Sequence, residues 1–186
     1  MKIGIFGGTF DPVHLGHLNL AISLKELCNL DEVLFVPTGL SPFKENAPPA
    51  VSPEHRLAML KLAIGQIQGF RIIDWELNQQ GPSYTIDTLR RLSQEGAHEL
   101  HLLLSDDQVS SFYLWKEADE LARLAPPLIG TRLGSDALEI PQAKKIKTPI
   151  FEVSSTLIRE RLNKKMYCGH LLPSSVLDYI AQHKIY

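Results

Sequence analysis

The sequence predicts an α/β protein, a doubly wound, Rossmann-like parallel sheet with a C-terminal helical segment. Three observations carry that prediction. Short apolar runs alternate with segments of helical periodicity, which implies parallel strands joined by crossover helices. The first such run, Lys2–Phe6, feeds directly into Gly7-Gly8 and a helix. With 186 residues, 44% apolar and 22% charged, the chain has the size and composition of one domain, residues 1–186, with a sizeable core.

The elements follow in order. Apolar residues at 15, 18, 22 and 24 place a sheet-packed helix over Leu15–Leu27. Glu32–Val36 is a buried strand ended by Pro37. Ser52-Pro53-Glu54 starts a second helix, with a capping hydroxyl, proline at the first helical position and an acid in the first turn. Phe70–Ile73 is a short strand, and Thr85–Gln94 a helix that Gly96 stops. His101–Leu104 is a strand, Gln108–Leu124 is helical, and Pro126–Thr131 is a strand. Thr148–Val153 is expected as the last strand, before helices over Ser154–Leu162 and Ser174–His183. Thr38–Ser52, with Pro42, Pro48 and Pro49, is too long for an ordinary connection and reads as a functional loop.

Charge and cysteine content exclude several classes. Lys and Arg number 19 against 21 Asp and Glu, a net charge of −2, so the chain is no basic nucleic-acid coat. The cluster Lys144-Lys145-Ile146-Lys147 reads as a solvated face. Cys28 and Cys168 form neither C-x-x-C nor zinc-ribbon spacing, which points to a reducing compartment. No signal peptide or transmembrane run is evident, so the cytoplasm is expected.

Chemistry concentrates in Gly7-Gly8-Thr9-Phe10-Asp11-Pro12-Val13-His14-Leu15-Gly16-His17. In a doubly wound sheet, ligands bind at such strand ends. The glycines admit an anion close to the backbone, and the helix N-terminus favours phosphate. His14 and His17, three apart, fall on one face of the first turn, with Gly16 leaving room between them. Two donors there suit the charge that develops at a phosphorus under attack. A zinc site would need a third ligand that the sequence does not offer, and either histidine alone would pass for a structural one. Neither G-x-x-x-x-G-K-[ST] nor G-x-G-x-x-G occurs, against a P-loop ATPase and an ordinary dehydrogenase. Near the other end, Ser154-Ser155-Thr156-Leu157-Ile158-Arg159 combines hydroxyl caps with a guanidinium one turn into a helix, a triphosphate-binding set that alone would be only an N-cap.

Together these segments resemble the H-x-G-H nucleotidyltransferases. Asp74-Trp75-Glu76-Leu77, the run Gly81-Pro82-Ser83-Tyr84-Thr85-Ile86-Asp87-Thr88-Leu89, Leu171-Leu172-Pro173-Ser174-Ser175-Val176 and Ile185-Tyr186 narrow the resemblance to the bacterial nicotinate-nucleotide adenylyltransferases. It implies adenylyl transfer from ATP to nicotinate mononucleotide, giving deamido-NAD and pyrophosphate, with Mg²⁺ accompanying ATP. Nicotinamide mononucleotide or phosphopantetheine as substrate, or a non-catalytic nucleotide-binding role, are the alternatives. His14, His17 and Arg159 would be catalytic. Gly7, Gly8, Thr9, Phe10, Ser155 and Thr156 would join them around ATP, with Asp107 on a ribose hydroxyl. Lys44, Tyr84, Thr85, Trp115 and Arg132 would hold the nicotinate nucleotide. No metal ligands, nucleic acid or membrane are expected, and the resemblance leaves room for a homo-oligomer.

The residues of the Tyr84–Thr85 run agree, since free N–H groups at a helix start suit a carboxylate better than an amide. Without the resemblance, Trp115 would be core, and Lys44 and Arg132 solvated charges. The sequence departs from the family in three places. Ser41-Pro42-Phe43-Lys44 stands where the family usually has Pro-Pro-His-Lys, and Ser105 and Asp106 stand where it has Gly-x before the Asp. These bear on affinity and on the choice of substrate.

Overall fold

The structure, a computed structural model, describes residues 1–42, 48–96, 98–131, 140–149 and 151–186. Its strands are β1 (Lys2–Gly8), β2 (Glu32–Pro37), β3 (Phe70–Ile72), β4 (Glu99–Ser105), β5 (Leu128–Thr131) and β6 (Lys144–Lys147). They form one parallel sheet in the order β3-β2-β1-β4-β5-β6. The chain leaves β1 first to one side and then to the other, so the strand order reverses between β1 and β4. A crevice opens there at the carboxyl ends of the strands, and ligands of this architecture bind in it.

The helices are α1 (Leu15–Leu27), α2 (Pro53–Ile64), α3 (Thr85–Gln94), α4 (Asp106–Val109), α5 (Ala118–Leu124), α6 (Ser155–Asn163) and α7 (Ser174–His183). Strand residues alternate between two cores because successive side chains face opposite sides of a sheet. Val33, Phe35 and Leu103 join Leu24 of α1, Leu60 of α2, Ile158 of α6 and Val176 of α7 on one face. Ile5, Leu34 and Leu102 join Ile86 and Leu89 of α3 and Leu121 of α5 on the other. The result is a three-layer sandwich whose strands are apolar on both sides, as expected of a parallel sheet. No helix among the described residues is long and apolar enough to cross a membrane.

Three expectations need correction. The last strand is Lys144–Lys147 rather than Thr148–Val153, pairing Leu128 with Lys144 through Thr131 with Lys147. The lysine cluster is exposed, as expected, but it is the edge strand. Lysines there keep a sheet edge from pairing with another chain, and that role hides the strand from a reading by hydrophobicity. The residues after it instead run over the crevice, where Thr148, Pro149 and Val153 form part of its wall. Gln108–Leu124 is not one helix: α4 ends at Val109, a 3₁₀ turn covers Phe112–Leu114, and α5 begins at Ala118. Ser52 occupies the N-cap of α2, but its hydroxyl makes no capping bond. The α1 and α3 boundaries match the expectation residue for residue.

Candidate active site

An open cleft of about 1760 Å³ lies at the crevice, and its wall gathers segments distant in sequence. The end of β1 contributes Gly7, Gly8, Thr9 and Phe10; the start of α1 contributes His14 and His17. Asp107 enters from α4, Ser155, Thr156 and Arg159 from α6, and Tyr84, Thr85 and Trp115 from the far side. The structure thus brings together thirteen of the fifteen residues expected from sequence. Lys44 and Arg132 lie outside the described residues. A Cβ on Gly7 would meet nothing within 4 Å, so its backbone faces open space that a ligand can enter.

His14 and His17 are held by each other. His14 is the N-cap of α1, and its Nδ1 accepts the His17 backbone N–H at 3.3 Å. His17, three residues on, returns the bond: its Nδ1 accepts the His14 N–H at 3.2 Å. This is a capping box built from imidazoles, and it satisfies two backbone donors that the helix start would otherwise leave open. The rings stack with centroids 3.6 Å apart. Burial lowers the His14 pKa from 6.5 to about 4. His17 is held well below its ordinary value by burial and by His14 beside it. Both rings are therefore neutral near pH 7. A neutral ring whose Nδ1 accepts must carry its proton on Nε2, so the capping box assigns the tautomer of both rings. Each retains one Nε2–H donor for a ligand. Phe10, at φ 50°, sets its ring edge-on to His17 with centroids 5.0 Å apart and walls off that side. A Cβ on Gly16 would meet Val153 Cγ1 at 2.8 Å and His14 Nδ1 at 3.1 Å, so glycine there keeps the His14 ring in place.

α6 presents a second N-terminus to the cleft. The Ser154 hydroxyl caps it by accepting the Leu157 N–H at 3.2 Å. The Ser155 hydroxyl donates to the Pro12 carbonyl at 2.9 Å, tying α6 to the loop after β1. Arg159 donates from Nη1 to the Asp11 carbonyl at 2.7 Å and from Nη2 to Thr156 Oγ1 at 3.1 Å.

Across the cleft, α3 begins at Thr85 with Tyr84 as its N-cap and no side-chain capping bond. Lys116 places Nζ 4.4 Å from the centre of the Tyr84 ring and 3.5 Å from Asp87 Oδ2, adding a cation to this end. Trp115 is half-buried, tilted against Phe112 with centroids 5.8 Å apart. It lines the cleft, so it is not wholly core. Ser105 precedes α4, with its N–H and hydroxyl both donating to Gln108 Oε1, at 3.1 and 3.0 Å. Its side chain is thereby turned into the α4 cap.

Sequence reasoning missed several participants. Glu76 is 6% exposed at the cleft wall and accepts from the Thr88 hydroxyl at 2.8 Å. Burial pushes its carboxyl pKa up, against the hydrogen bonds from Thr88 and Ser83 that pull it down. Arg56 is fully buried, and its Nη1 donates to the carbonyls of Thr9 and Thr38, at 2.7 and 2.8 Å. It pins the ends of β1 and β2 together beneath the cleft. Asp11 was in the motif but carried no assigned role. A charge in an amphipathic helix ordinarily reads as solvent-facing, so nothing in the sequence flags Arg56.

Residues 5–161 match the cytidylyltransferase-like family model, the class of nucleotide-handling α/β protein that this sheet and crevice define. A probable nicotinate-nucleotide adenylyltransferase of Oceanobacillus iheyensis is 36% identical over 186 residues, covering 100% of this chain and 96% of the relative. One from Dehalococcoides mccartyi is 38% identical over 200 residues, covering 100% and 97%. The chain belongs to the nicotinate-nucleotide adenylyltransferase family. The solved Plasmodium falciparum nicotinic acid mononucleotide adenylyltransferase complexed with NaAD shares the fold, with a TM-score of 0.80 at 20% identity, covering 98% of this chain and 95% of that one.

Proposed function

We propose that this chain transfers the adenylyl group of ATP to nicotinate mononucleotide, giving deamido-NAD and pyrophosphate. The observation that supports the reading is one cleft whose two ends suit anions: the His14–His17 pair with the α6 N-terminus on one side, and the uncapped start of α3, beside the Lys116–Asp87 pair, on the other. The first suits a triphosphate. The second suits a carboxylate on a ring, with Trp115 as the surface on which that ring stacks.

In this reading a phosphate oxygen of nicotinate mononucleotide attacks the α-phosphorus of ATP in line, and pyrophosphate departs with the bond it breaks. No protein nucleophile is needed. Positioning two anions against each other supplies roughly 7–11 kcal/mol in well-oriented pairs. The Nε2–H groups of His14 and His17 donate to the α-phosphate oxygens as charge builds there, and Arg159 meets the departing phosphates. Gly7, Gly8, Thr9 and Phe10 form the floor under the nucleotide, with Ser155 and Thr156 at the phosphates and Asp107 on a ribose hydroxyl. Lys44 and Arg132 are assigned to the phosphates from the resemblance. ATP would enter as its Mg²⁺ complex, the ion supplying charge to offset that of the phosphates. Among the described residues no three His, Cys, Asp or Glu side chains gather to hold a metal.

Pyrophosphate release with MgATP tests the reading, run in parallel with nicotinate mononucleotide, nicotinamide mononucleotide and phosphopantetheine. Strong preference for the first is expected. Activity with another phosphate alone would keep the reaction and overturn the substrate. Silence with all three beside measurable ATP binding would mean a nucleotide-binding protein without this activity.

A further inference from the structure

Asp11 joins four segments of the chain under the cleft. It is 4% exposed. Its Oδ1 accepts from the Tyr186 hydroxyl at 2.7 Å, and its Oδ2 accepts from the Ala50 N–H at 2.7 Å. Its own carbonyl accepts from Arg159 Nη1 at 2.7 Å, while that same nitrogen stands 3.8 Å from Oδ2, too far for a hydrogen bond. Both carboxylate oxygens are thus engaged by neutral donors. The guanidinium is hydrogen-bonded to a carbonyl and makes only a long ion pair, at 3.8 Å, with the carboxylate beside it.

That arrangement matters because Arg159 has two suitors. A carboxylate closing on a guanidinium makes one of the strongest pairings available to side chains, often through two parallel bonds. Such a pair would consume the charge and donors that a triphosphate needs. Tyr186 stays a donor at working pH, since burial and Asp11 hold its phenol well above the ordinary range. Asp11 also acts electrostatically on the buried Arg56 guanidinium, a second cation in its surroundings.

We propose that Tyr186 is a positioning residue for the adenylyl donor: by holding Asp11 Oδ1 it keeps the carboxylate from closing on Arg159, and so leaves that guanidinium to the phosphates of ATP. The Ala50 N–H holds the other oxygen and belongs to the same device. The inference rests on the reading of Arg159 as a phosphate ligand.

Calorimetric binding of MgATP to the full chain tests it, with thermal melting of each variant alongside. Tyr186→Phe keeps the ring and removes only the hydroxyl. It is expected to weaken MgATP binding about tenfold, the size of one charge-assisted hydrogen bond diverted, with KM for nicotinate mononucleotide little changed. Adding Asp11→Asn to Tyr186→Phe removes the charge that competes, and binding should return to within about twofold of wild type. In an Arg159→Ala background, Tyr186→Phe should have no further effect. Wild-type affinity in Tyr186→Phe would overturn the proposal. So would an undiminished loss in the Arg159→Ala background, since Asp11 would then be acting through Arg56 or through packing. Should Tyr186→Phe melt early, the paired variant decides: a packing defect persists when Asp11→Asn is added, whereas a diverted charge is relieved. ATP binding without pyrophosphate release would overturn the proposed reaction and leave this device standing. Normal release with an insensitive ATP affinity would overturn the device alone.

Discussion

Acid should destabilise this protein through His14. The ring is 6% exposed, and burial lowers its pKa from 6.5 to about 4. In the unfolded chain the same imidazole titrates near 6.5. Between those values the unfolded chain binds a proton that the folded chain refuses, so stability is fully present above pH 6.5 and falls as the pH drops. At about 1.36 kcal/mol per pH unit, roughly 3 kcal/mol is lost between about pH 7 and pH 4. The structural reason is specific. Nδ1 is the acceptor for the His17 N–H, so protonating it would set two donors against each other and empty the helix cap. Urea denaturation of the wild type and of His14→Gln at about pH 7, 5.5, 4.5 and 4 provides the assay, because the other acid-titrating groups are common to both. The wild type should lose about 3 kcal/mol more than the variant over that range. Parallel pH profiles for the two proteins would refute this reasoning, and with it the claim that His14 is neutral and accepting at Nδ1.

Three more expectations follow from the same geometry. Gly16→Ala forces a Cβ to within 2.8 Å of Val153 Cγ1 and 3.1 Å of the His14 ring, so calorimetry should find about 1–3 kcal/mol less stability, and turnover should drop as His14 is displaced. His17→Ala removes one donor to the transition state and should lower kcat at least about a hundredfold, equivalent to roughly 2.7–4 kcal/mol; near-wild-type turnover would strip the residue of its role. Chelation by EDTA should abolish pyrophosphate release and added Mg²⁺ should restore it, without a change in melting temperature, because in the proposed reaction the ion arrives with ATP.

What the sequence discloses depends on how local the governing physics is. The α1 and α3 limits were legible because hydrophobic periodicity is a short-range signal. The gathering of His14, His17 and Arg159 was legible through the resemblance to the H-x-G-H nucleotidyltransferases, since the strand expected to lead into α6 is not one. β6 was not: its lysines look like solvent-facing surface, and only pairing to β5 makes Lys144–Lys147 a strand. Arg56 and Glu76 were illegible for a related reason. Their burial is offset by partners far along the chain, the carbonyls of Thr9 and Thr38 for one and the Thr88 hydroxyl for the other. The neutral state of the histidines was likewise invisible, because it comes from enclosure and from each ring's bond to the other's backbone.

The imidazole cap on α1 also sets the terms on which this protein can be engineered. Serine, aspartate and asparagine are better N-caps than a bulky ring, so a library selected only for heat resistance would be drawn toward them at position 14. Each such gain would discard the Nε2–H that the proposed reaction uses and leave His17 without its reciprocal partner. Thermal hardening of this scaffold therefore has to spare the first turn of α1 and look elsewhere for its increments.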